Sequence, residues 1–294
     1  MIDLQLHTNY SDGIDSVEEL LKKCEHFSLQ VIAITDHDNI EAHLELLENP
    51  ELRNLFSGEI INAAEFKTYY DNISIELLAF GFDIEKVKYF PYLRGRGPEK
   101  QRKVLVYLKE KGRELGLKFD ESIDVDSDKN LWAAGVFERE VIKYKENIPI
   151  LEANDYYIHE SFYRKCLSNP GSIFYYDDVA DFPTIDQIIE DVHEAGGLVF
   201  LAHPFAYAFE DKLDAIESIV TKYNIDGIEC YHSEHVNEID ILLALAKKHN
   251  KYISGGSDHH GKPDRELGKL AIPISIMDPW IGKTHQKKGN ATKN

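Results

Sequence analysis

The chain is poor in positive charge, in cysteine and in long apolar runs. It has 33 lysines and arginines against 52 aspartates and glutamates, a formal net charge of −19, which argues against a basic surface for duplex DNA. Its three cysteines, Cys24, Cys166 and Cys230, lack CxxC spacing, as reduced thiols of a cytoplasmic protein usually do. No apolar run approaches the ~20 residues of a membrane span, and the start lacks the pattern of a secretory signal. We therefore expect a cytoplasmic protein with no membrane partner.

Side chains that can bind metals stand at the ends of five short strand-like runs. Each run finishes in Asp, Glu or His, and the last lies in the glycine-rich segment from 255 to 261. Because carboxylates and imidazoles together hold Mn²⁺, Zn²⁺ or Fe²⁺, this pattern predicts a metallo-hydrolase. The candidate ligands, which are also the candidate catalytic residues, are His7, Asp12, His37, Glu65, His203, Asp258 and His260.

Strand and helix patterns alternate near both ends of the chain. Capping boxes that begin at Ser16 and at Thr184 each open an amphipathic helix between two apolar runs. The candidate ligands follow most of the strands rather than gathering at one switch point. This favours a closed (β/α) barrel of the α/β class over an open doubly wound sheet.

The alternation stops between about residues 85 and 182, where helical and aromatic segments follow one another. The sequence therefore predicts a barrel formed by residues 1–84 and 183–280, with an inserted helical cap at 85–182 and a polar tail at 281–294. A basic cluster opens the insertion, and within it we expect Arg94 and Arg96 to contact a substrate phosphate.

Taken together, the motifs resemble those of the polymerase-and-histidinol-phosphatase (PHP) family of metal-dependent phosphoesterases. They are Asp3-Leu4-Gln5-Leu6-His7-Thr8, Ser11-Asp12-Gly13, Ile34-Thr35-Asp36-His37-Asp38, the strand of Glu65, Ala202-His203-Pro204 and Gly256-Ser257-Asp258-His259-His260. The insertion is similar to that of a branch with nucleotide 3′,5′-bisphosphate phosphatases and short-RNA exonucleases. The resemblance implies a distorted seven-stranded (β/α) barrel of the PHP type that holds two or three divalent metal ions.

The resemblance also implies three sets of metal ligands. One set would be Gln5, His7, Glu65 and Asp258, the second Asp12, His37 and His260, and the third Glu65, Glu76 and His203. A carboxylate has two oxygens, so Glu65 can serve two cations, whereas an imidazole acceptor serves one.

Two of these positions depart from the family pattern. Gln5 stands where the family has the first histidine of a closely spaced pair, and Glu76 stands where it usually has histidine. Both changes replace nitrogen by oxygen, which would favour harder ions such as Mn²⁺ or Mg²⁺. They could equally mark a partly decayed site, and Gln5 could be an engineered change.

We expect hydrolysis of a small phosphorylated substrate, a nucleotide or a short single-stranded oligonucleotide, and no action on duplex DNA. His232 and His235 follow a predicted strand and are candidates for contact with the substrate phosphate, whereas strand alternation turns His259 away from the metals. A metal-dependent amide hydrolase on the same barrel, or a weakened module kept for binding, remains open. The oligomeric state is open as well.

Overall fold

The protein is described by a computed structural model that covers residues 1–93, 98–125, 132–158, 161–262 and 265–285. Two compact units account for these residues. One unit comprises Met1–Tyr70, Ser74–Arg94 and Phe182–Asn294, and the other comprises Asp71–Ile73 and Gly95–Asp181. The division of the chain into barrel, cap and tail that the sequence suggests stays a prediction.

Within the described residues, seven strands form one sheet whose order in space is their order in the chain. The first two strands are buried along their whole length, as expected for strands covered on both faces. This arrangement confirms the predicted seven-stranded α/β barrel. The strands are β1 (Ile2–Leu6), β2 (Val31–Ile34), β3 (Glu59–Tyr70), β4 (Ile73–Phe80), β5 (Leu198–Leu201), β6 (Gly227–His232) and β7 (Tyr252–Gly256).

The strand directions explain why the barrel is distorted. β1, β2 and β3 are parallel to one another, as are β5, β6 and β7, but β4 runs antiparallel to β5. β3 and β4 are joined by Asp71 and Asn72 alone, and both residues have positive φ angles, 48° and 63°. Two such residues match the tight turn of a hairpin, which reverses the chain without the helix that the alternating pattern predicts elsewhere.

The barrel closes where β7 meets β1. The His7 amide donates to the His259 carbonyl at 2.9 Å, and the Asp258 amide donates to the Gln5 carbonyl at 3.0 Å. A Cβ atom at Gly256 would lie 2.4 Å from the Gln5 nitrogen. Glycine at this position therefore allows the two strands to come together beside the candidate ligands.

Helices connect and cover the strands of the barrel unit. α1 begins after Ser16, whose hydroxyl accepts from the Glu19 amide at 3.3 Å while the Glu19 carboxylate accepts from the Ser16 amide at 2.9 Å, so the predicted capping box is present. The helices of this unit are α1 (Val17–His26), α2 (Glu41–Glu48), α3 (Pro50–Arg53), α4 (Ile84–Val87), α8 (Ile185–Glu194), α9 (Lys212–Lys222) and α10 (Ile239–Lys248).

The second unit is helical and has a hydrophobic core of its own. Its helices are α5 (Pro98–Glu114), α6 (Ala133–Val141) and α7 (Ile148–Glu152), followed by a π-helical turn over Tyr163–Leu167. Buried residues from Val104 to Phe174 form the core of this unit. Among the described residues of the whole chain, no helix is both long and apolar enough to cross a membrane.

We expect Gly256→Ala to destabilise the protein, because the added Cβ would meet the backbone of Gln5. Overpacking of this kind costs about 1–3 kcal/mol of unfolding free energy, measurable by urea denaturation. Gly282→Ala is the control, since within the described residues a Cβ at Gly282 meets no atom within 4 Å. An equal loss of stability in the two variants would contradict this account of barrel closure.

Candidate metal centre

The polar residues predicted from the sequence converge at one end of the strands. His7 follows β1, His37 follows β2 and pairs with Glu65 of β3, and His203 follows β5. Asp258 and His260 follow β7. Parallel strands end at the same edge of a barrel, so residues far apart in the chain become neighbours.

Glu65 lies at the centre of the cluster and is fully buried. Its Oε2 atom is 3.3 Å from His7 Nε2 and 3.3 Å from His37 Nδ1, and its Oε1 atom is 2.9 Å from His203 Nε2. Each carboxylate oxygen thus faces a different part of the cluster. This is the geometry in which one carboxylate can bridge two cations.

A second carboxylate, Asp12, also faces three imidazoles. Its Oδ1 atom lies 3.0 Å from His260 Nε2, 3.6 Å from His37 Nε2 and 3.7 Å from His7 Nδ1. The side chain of Asp12 is 32% exposed, whereas that of Glu65 is 0% exposed. Asp12 therefore stands on the open side of the cluster and Glu65 at its floor.

Both departures from the family pattern, Gln5 and Glu76, are part of the cluster. Glu76 of β4 places Oε1 3.4 Å from His37 Nδ1 and Oε2 3.4 Å from His203 Nε2. The amide nitrogen of Gln5 donates to Glu65 Oε1 at 3.2 Å. Glu76 therefore presents carboxylate oxygens to the cluster, whereas Gln5 turns its amide nitrogen to Glu65 and its Oε1 atom is buried.

Three groups of donor atoms are compact enough to surround a cation: His7, Asp12, His37 and His260; His7, Glu65 and Asp258; and His37, Glu65 and Glu76. They overlap the three implied ligand sets. In the middle group, His7 Nε2 lies 3.1 Å from Asp258 Oδ1 and 3.3 Å from Glu65 Oε2, and both distances match the roughly 3.0–3.4 Å that separates atoms bound to one cation.

The hydrogen bonding of these atoms gives an independent test of the fit. Within the described residues, several buried donor atoms of the cluster have no hydrogen-bond partner, although buried polar atoms usually have one. They are Gln5 Oε1, His7 Nε2, Asp12 Oδ1, Glu65 Oε2 and His203 Nδ1. His7 Nε2 and Glu65 Oε2, two of these atoms, face each other at 3.3 Å, a ligand-to-ligand distance that fits a divalent cation.

Three residues at or beside the cluster have strained backbone conformations. Asp258 has a φ angle of 57°, His203 of 22° and Asp38 of 47°, in the left-handed region that side-chain-bearing residues rarely adopt. Such conformations persist only where the surrounding structure enforces them, and they cluster at functional sites. The backbone at Asp258 is held by the bond from its amide to Gln5, and its carbonyl lies 2.7 Å from His260 Nδ1.

The electrostatics of the cluster favour cations. Partial burial of Asp12 opposes its ionisation, but the imidazoles of His260 and His37 outweigh burial and hold the pKa of Asp12 well below its ordinary range. Burial likewise opposes ionisation of Glu65, and His37 is the main group that holds the pKa of Glu65 low. Burial disfavours the charged form of His7, yet Glu65 raises its pKa overall. The carboxylates therefore remain ionised at ordinary pH and attract positive charge.

The loop that carries Asp12 is fixed by Asp36. This carboxylate accepts hydrogen bonds from the Thr8 amide at 2.7 Å, the Thr8 hydroxyl at 2.6 Å and the Ser11 hydroxyl at 2.6 Å. Ser11 in turn lies 3.5 Å from His7 Nδ1. Asp36 therefore supports the first ligand loop and is linked to the His7 imidazole through Ser11.

The residues predicted to contact substrate lie in different surroundings. His232 and His235 are buried, with exposures of 0% and 1%, and their rings stack with centroids 5.0 Å apart. His259 contacts Asp15 and the Arg265 carbonyl, away from the cluster. Arg94 and Arg96 lie outside the described residues. The roles of these residues in substrate binding stay predictions.

Two residues of the centre were not singled out from the sequence. Glu229 is fully buried and accepts from the His203 amide at 2.7 Å, and burial holds its pKa well above the ordinary range. A charged residue inside an otherwise apolar strand was the available signal for Glu229. Arg265 pairs with Asp258, but no spacing in the sequence marks that contact.

The chain is similar in sequence to proteins whose names indicate action on RNA and nucleotides. The 5′-3′ exoribonuclease Rnm of Escherichia coli is 26% identical over 286 residues, which are 95% of this chain and 92% of the relative. The 3′,5′-nucleoside bisphosphate phosphatase of Chromobacterium violaceum is 22% identical over 283 residues, with 91% and 90% covered.

A solved structure and a family model extend the comparison to the fold and to the family. A crystal structure of a proposed metal-dependent phosphoesterase from Bifidobacterium adolescentis superposes with a TM-score of 0.67 at 21% identity, over 98% of both chains, which shows a common fold. The model of the PHP domain matches residues 3–255. This match confirms the resemblance drawn from the motifs: the chain belongs to the PHP domain family.

Proposed function

We propose that this protein is a metal-dependent phosphoesterase that hydrolyses small phosphorylated substrates, with nucleotides or short single-stranded oligonucleotides as the substrate class. The observation that carries the proposal is the pair of carboxylates, Asp12 and Glu65, each within 3.7 Å of three imidazoles. A donor set of this kind suits two or more neighbouring cations. Membership of the PHP family and the named activities of the relatives support the substrate class.

The exposure of the ligands indicates where a substrate would approach. Asp12 is 32% exposed and Glu76 13%, whereas His7 and Glu65 are 0% exposed. A phosphate ester would therefore meet the cluster from the side of Asp12. Gln5 and Glu65 would support the cations from below.

The expected ligands are those of the three donor groups, completed by Gln5 and His203. When bound, divalent ions would polarise the phosphoryl oxygens and lower the pKa of water. The protein's own residues hold the geometry: Glu65 presents one oxygen to each half of the cluster, and Asp36 fixes the loop of Asp12. Asp12, the most exposed of the four carboxylates in the cluster, is placed to orient water or to receive a proton.

The chemistry of the donors bears on which metal is bound. Glu76 adds carboxylate oxygens to a cluster of imidazoles and carboxylates, and rotation of the Gln5 amide would bring its oxygen to the place where its nitrogen now faces Glu65. Oxygen donors suit harder ions. We propose Mn²⁺ as the working metal, with two or three ions per chain, and Zn²⁺ or Fe²⁺ as the alternatives.

We expect the protein reconstituted with Mn²⁺ to carry at least two divalent ions per chain by elemental analysis. His37→Ala should lower that number, because His37 contacts Asp12, Glu65 and Glu76 and contributes to two donor groups. His249→Ala is the control, since His249 contacts Glu217 on the helical surface. Trace metal in the wild type, or equal loss in both variants, would rule out the proposed centre.

Gln5→His should increase the affinity for the metal ion that Gln5 would share with His7, Glu65 and Asp258. The substitution restores an imidazole on the same face of β1. The loss of supporting partners typically costs about 10–100-fold in metal affinity or activity, so we expect a gain in turnover of about tenfold or more. Zn²⁺ and Fe²⁺ should gain most. Metal-titrated phosphatase kinetics on both proteins measure the effect.

An unchanged turnover in Gln5→His, with a wild type that is active with Mn²⁺ or Mg²⁺, would contradict the expected gain. Gln5 and Glu76 would then form a matched pair of oxygen donors suited to those ions. No turnover by either protein, with metals bound, would instead indicate a module kept for binding.

A substrate panel tests the activity itself. We expect release of phosphate or mononucleotide from nucleoside bisphosphates and short single strands, and little cleavage of long duplex DNA, since the net charge of −19 opposes duplex binding. Charge reversal at Arg94 and Arg96 should raise KM for nucleotides and leave metal content unchanged. Hydrolysis of an acyl amide but not of the phosphate esters would identify an amide hydrolase, and efficient duplex cleavage would refute the proposed selectivity.

A further inference from the structure

Arg265 links the two loops that follow β6 and β7. Its Nη1 atom contacts Asp258 Oδ2, and its Nη2 atom contacts Glu234 Oε1. Nη1 also lies 3.5 Å from the Asp258 carbonyl. The side chain is only 18% exposed, so these charge-assisted contacts are partly shielded from water. Arg265 is thus joined directly to a candidate metal ligand.

The two oxygens of Asp258 have separate surroundings. Oδ1 faces the cluster, 3.1 Å from His7 Nε2 and 3.6 Å from His260 Nδ1. Oδ2 faces away, toward Arg265 and toward His232 Nε2 at 3.4 Å. A carboxylate held in this way presents one oxygen to a cation, whereas a freely rotating carboxylate can present either or both.

His232 and Glu234 complete the arrangement. The Glu234 amide donates to His232 Nδ1 at 3.1 Å, so Nδ1 is the acceptor and a neutral ring carries its hydrogen on Nε2, the atom that faces Asp258. The Glu234 carboxylate also pairs with Arg265. Glu234, in the loop after β6, therefore sets both the tautomer of His232 and the position of Arg265.

The charge of Arg265 could act against metal binding, because a guanidinium beside a metal ligand repels a cation. Glu234 carries the opposite charge on the other side of the guanidinium, and the paired charges largely cancel at a distance. The short-range effect on Asp258 remains. That effect is to fix the orientation of the ligand.

We propose that Arg265 is a positioning residue that holds Asp258 with Oδ1 turned to the metal cluster, and that it does so together with His232. The orientation of Asp258 is important in this chain because Gln5, the neighbouring donor of the same ligand set, is a weaker ligand than imidazole. The inference depends on the proposed metal centre, but not on the reaction that the centre performs.

Arg265→Gln tests the proposal through metal binding rather than turnover. Mn²⁺ is titrated into metal-free protein, and free Mn²⁺ is followed by its electron paramagnetic resonance signal. We expect the dissociation constant of the weakest site to rise about 10–100-fold, the usual effect of removing a partner that orients a ligand. Arg265→Lys should recover part of the loss, because an ammonium keeps the positive charge beside Asp258 but lacks the planar fork of donors with which a guanidinium fixes a carboxylate.

Arg113→Gln is the matched control, since it breaks an exposed arginine–carboxylate pair with Glu121 in the other unit of the fold. Its Mn²⁺ affinity should equal that of the wild type. An Arg265→Gln protein with unchanged Mn²⁺ affinity and lowered melting temperature would show a purely structural role and overturn the proposal. Tighter Mn²⁺ binding would overturn it as well, because it would mean that the guanidinium competes with the metal.

Glu234→Gln provides a second test that keeps Arg265 in place, and it serves if Arg265→Gln does not fold. Loss of one anchor should weaken Mn²⁺ binding on the order of tenfold. Unchanged affinity in this variant would refute the proposed arrangement. Failure of the phosphoesterase proposal is distinguishable, because it would appear as metal-loaded protein without hydrolysis while the Mn²⁺ titrations retain their differences.

Discussion

The structure depends on one constraint: buried carboxylates must be balanced by positive charge. Glu65 has no exposed surface, and Asp12, Glu76 and Asp258 lie around it with the histidines of the strand ends. Imidazoles can neutralise a carboxylate only when they are protonated, and burying unbalanced charge is costly. Divalent ions would satisfy this constraint, and they would also pair the buried donor atoms of the cluster that lack a hydrogen-bond partner among the described residues.

The barrel supplies the geometry that this constraint needs. Closure of β7 against β1 brings Asp258 beside Gln5 through backbone hydrogen bonds, and Gly256 removes the Cβ that would prevent it. The positive φ angles of Asp258 and His203 then direct the side chains of these two candidate ligands toward the cluster. An extended backbone at the same positions would direct them elsewhere. Residues separated by more than two hundred positions thus meet because a closed sheet makes its first and last strands neighbours.

Much of this arrangement could be predicted from local patterns, and the remainder depended on contacts between distant residues. The seven-stranded barrel follows from the family resemblance, and the cluster of His7, Glu65 and Asp258 follows from apolar runs that end in ligand-type residues. The β3–β4 hairpin was hidden because Asp71 and Asn72 had to adopt left-handed conformations that composition alone does not specify. The role of Arg265 could not be predicted from the sequence because its partner Glu234 belongs to another loop.

The two sides of the centre consequently differ in the charge of their donor groups. On the side of Gln5, the ligand set contains a neutral amide, and Asp258 shares its charge with Arg265. On the side of Glu76, an additional carboxylate faces His37 and His203 and adds negative charge. Electrostatic attraction for a hard cation is therefore greater toward Glu76, and binding on the opposite side depends more on how precisely each donor is held. We therefore expect Gln5 and Glu76 to act together and to make cation binding tighter at the Glu76 end of the cluster than at the Gln5 end.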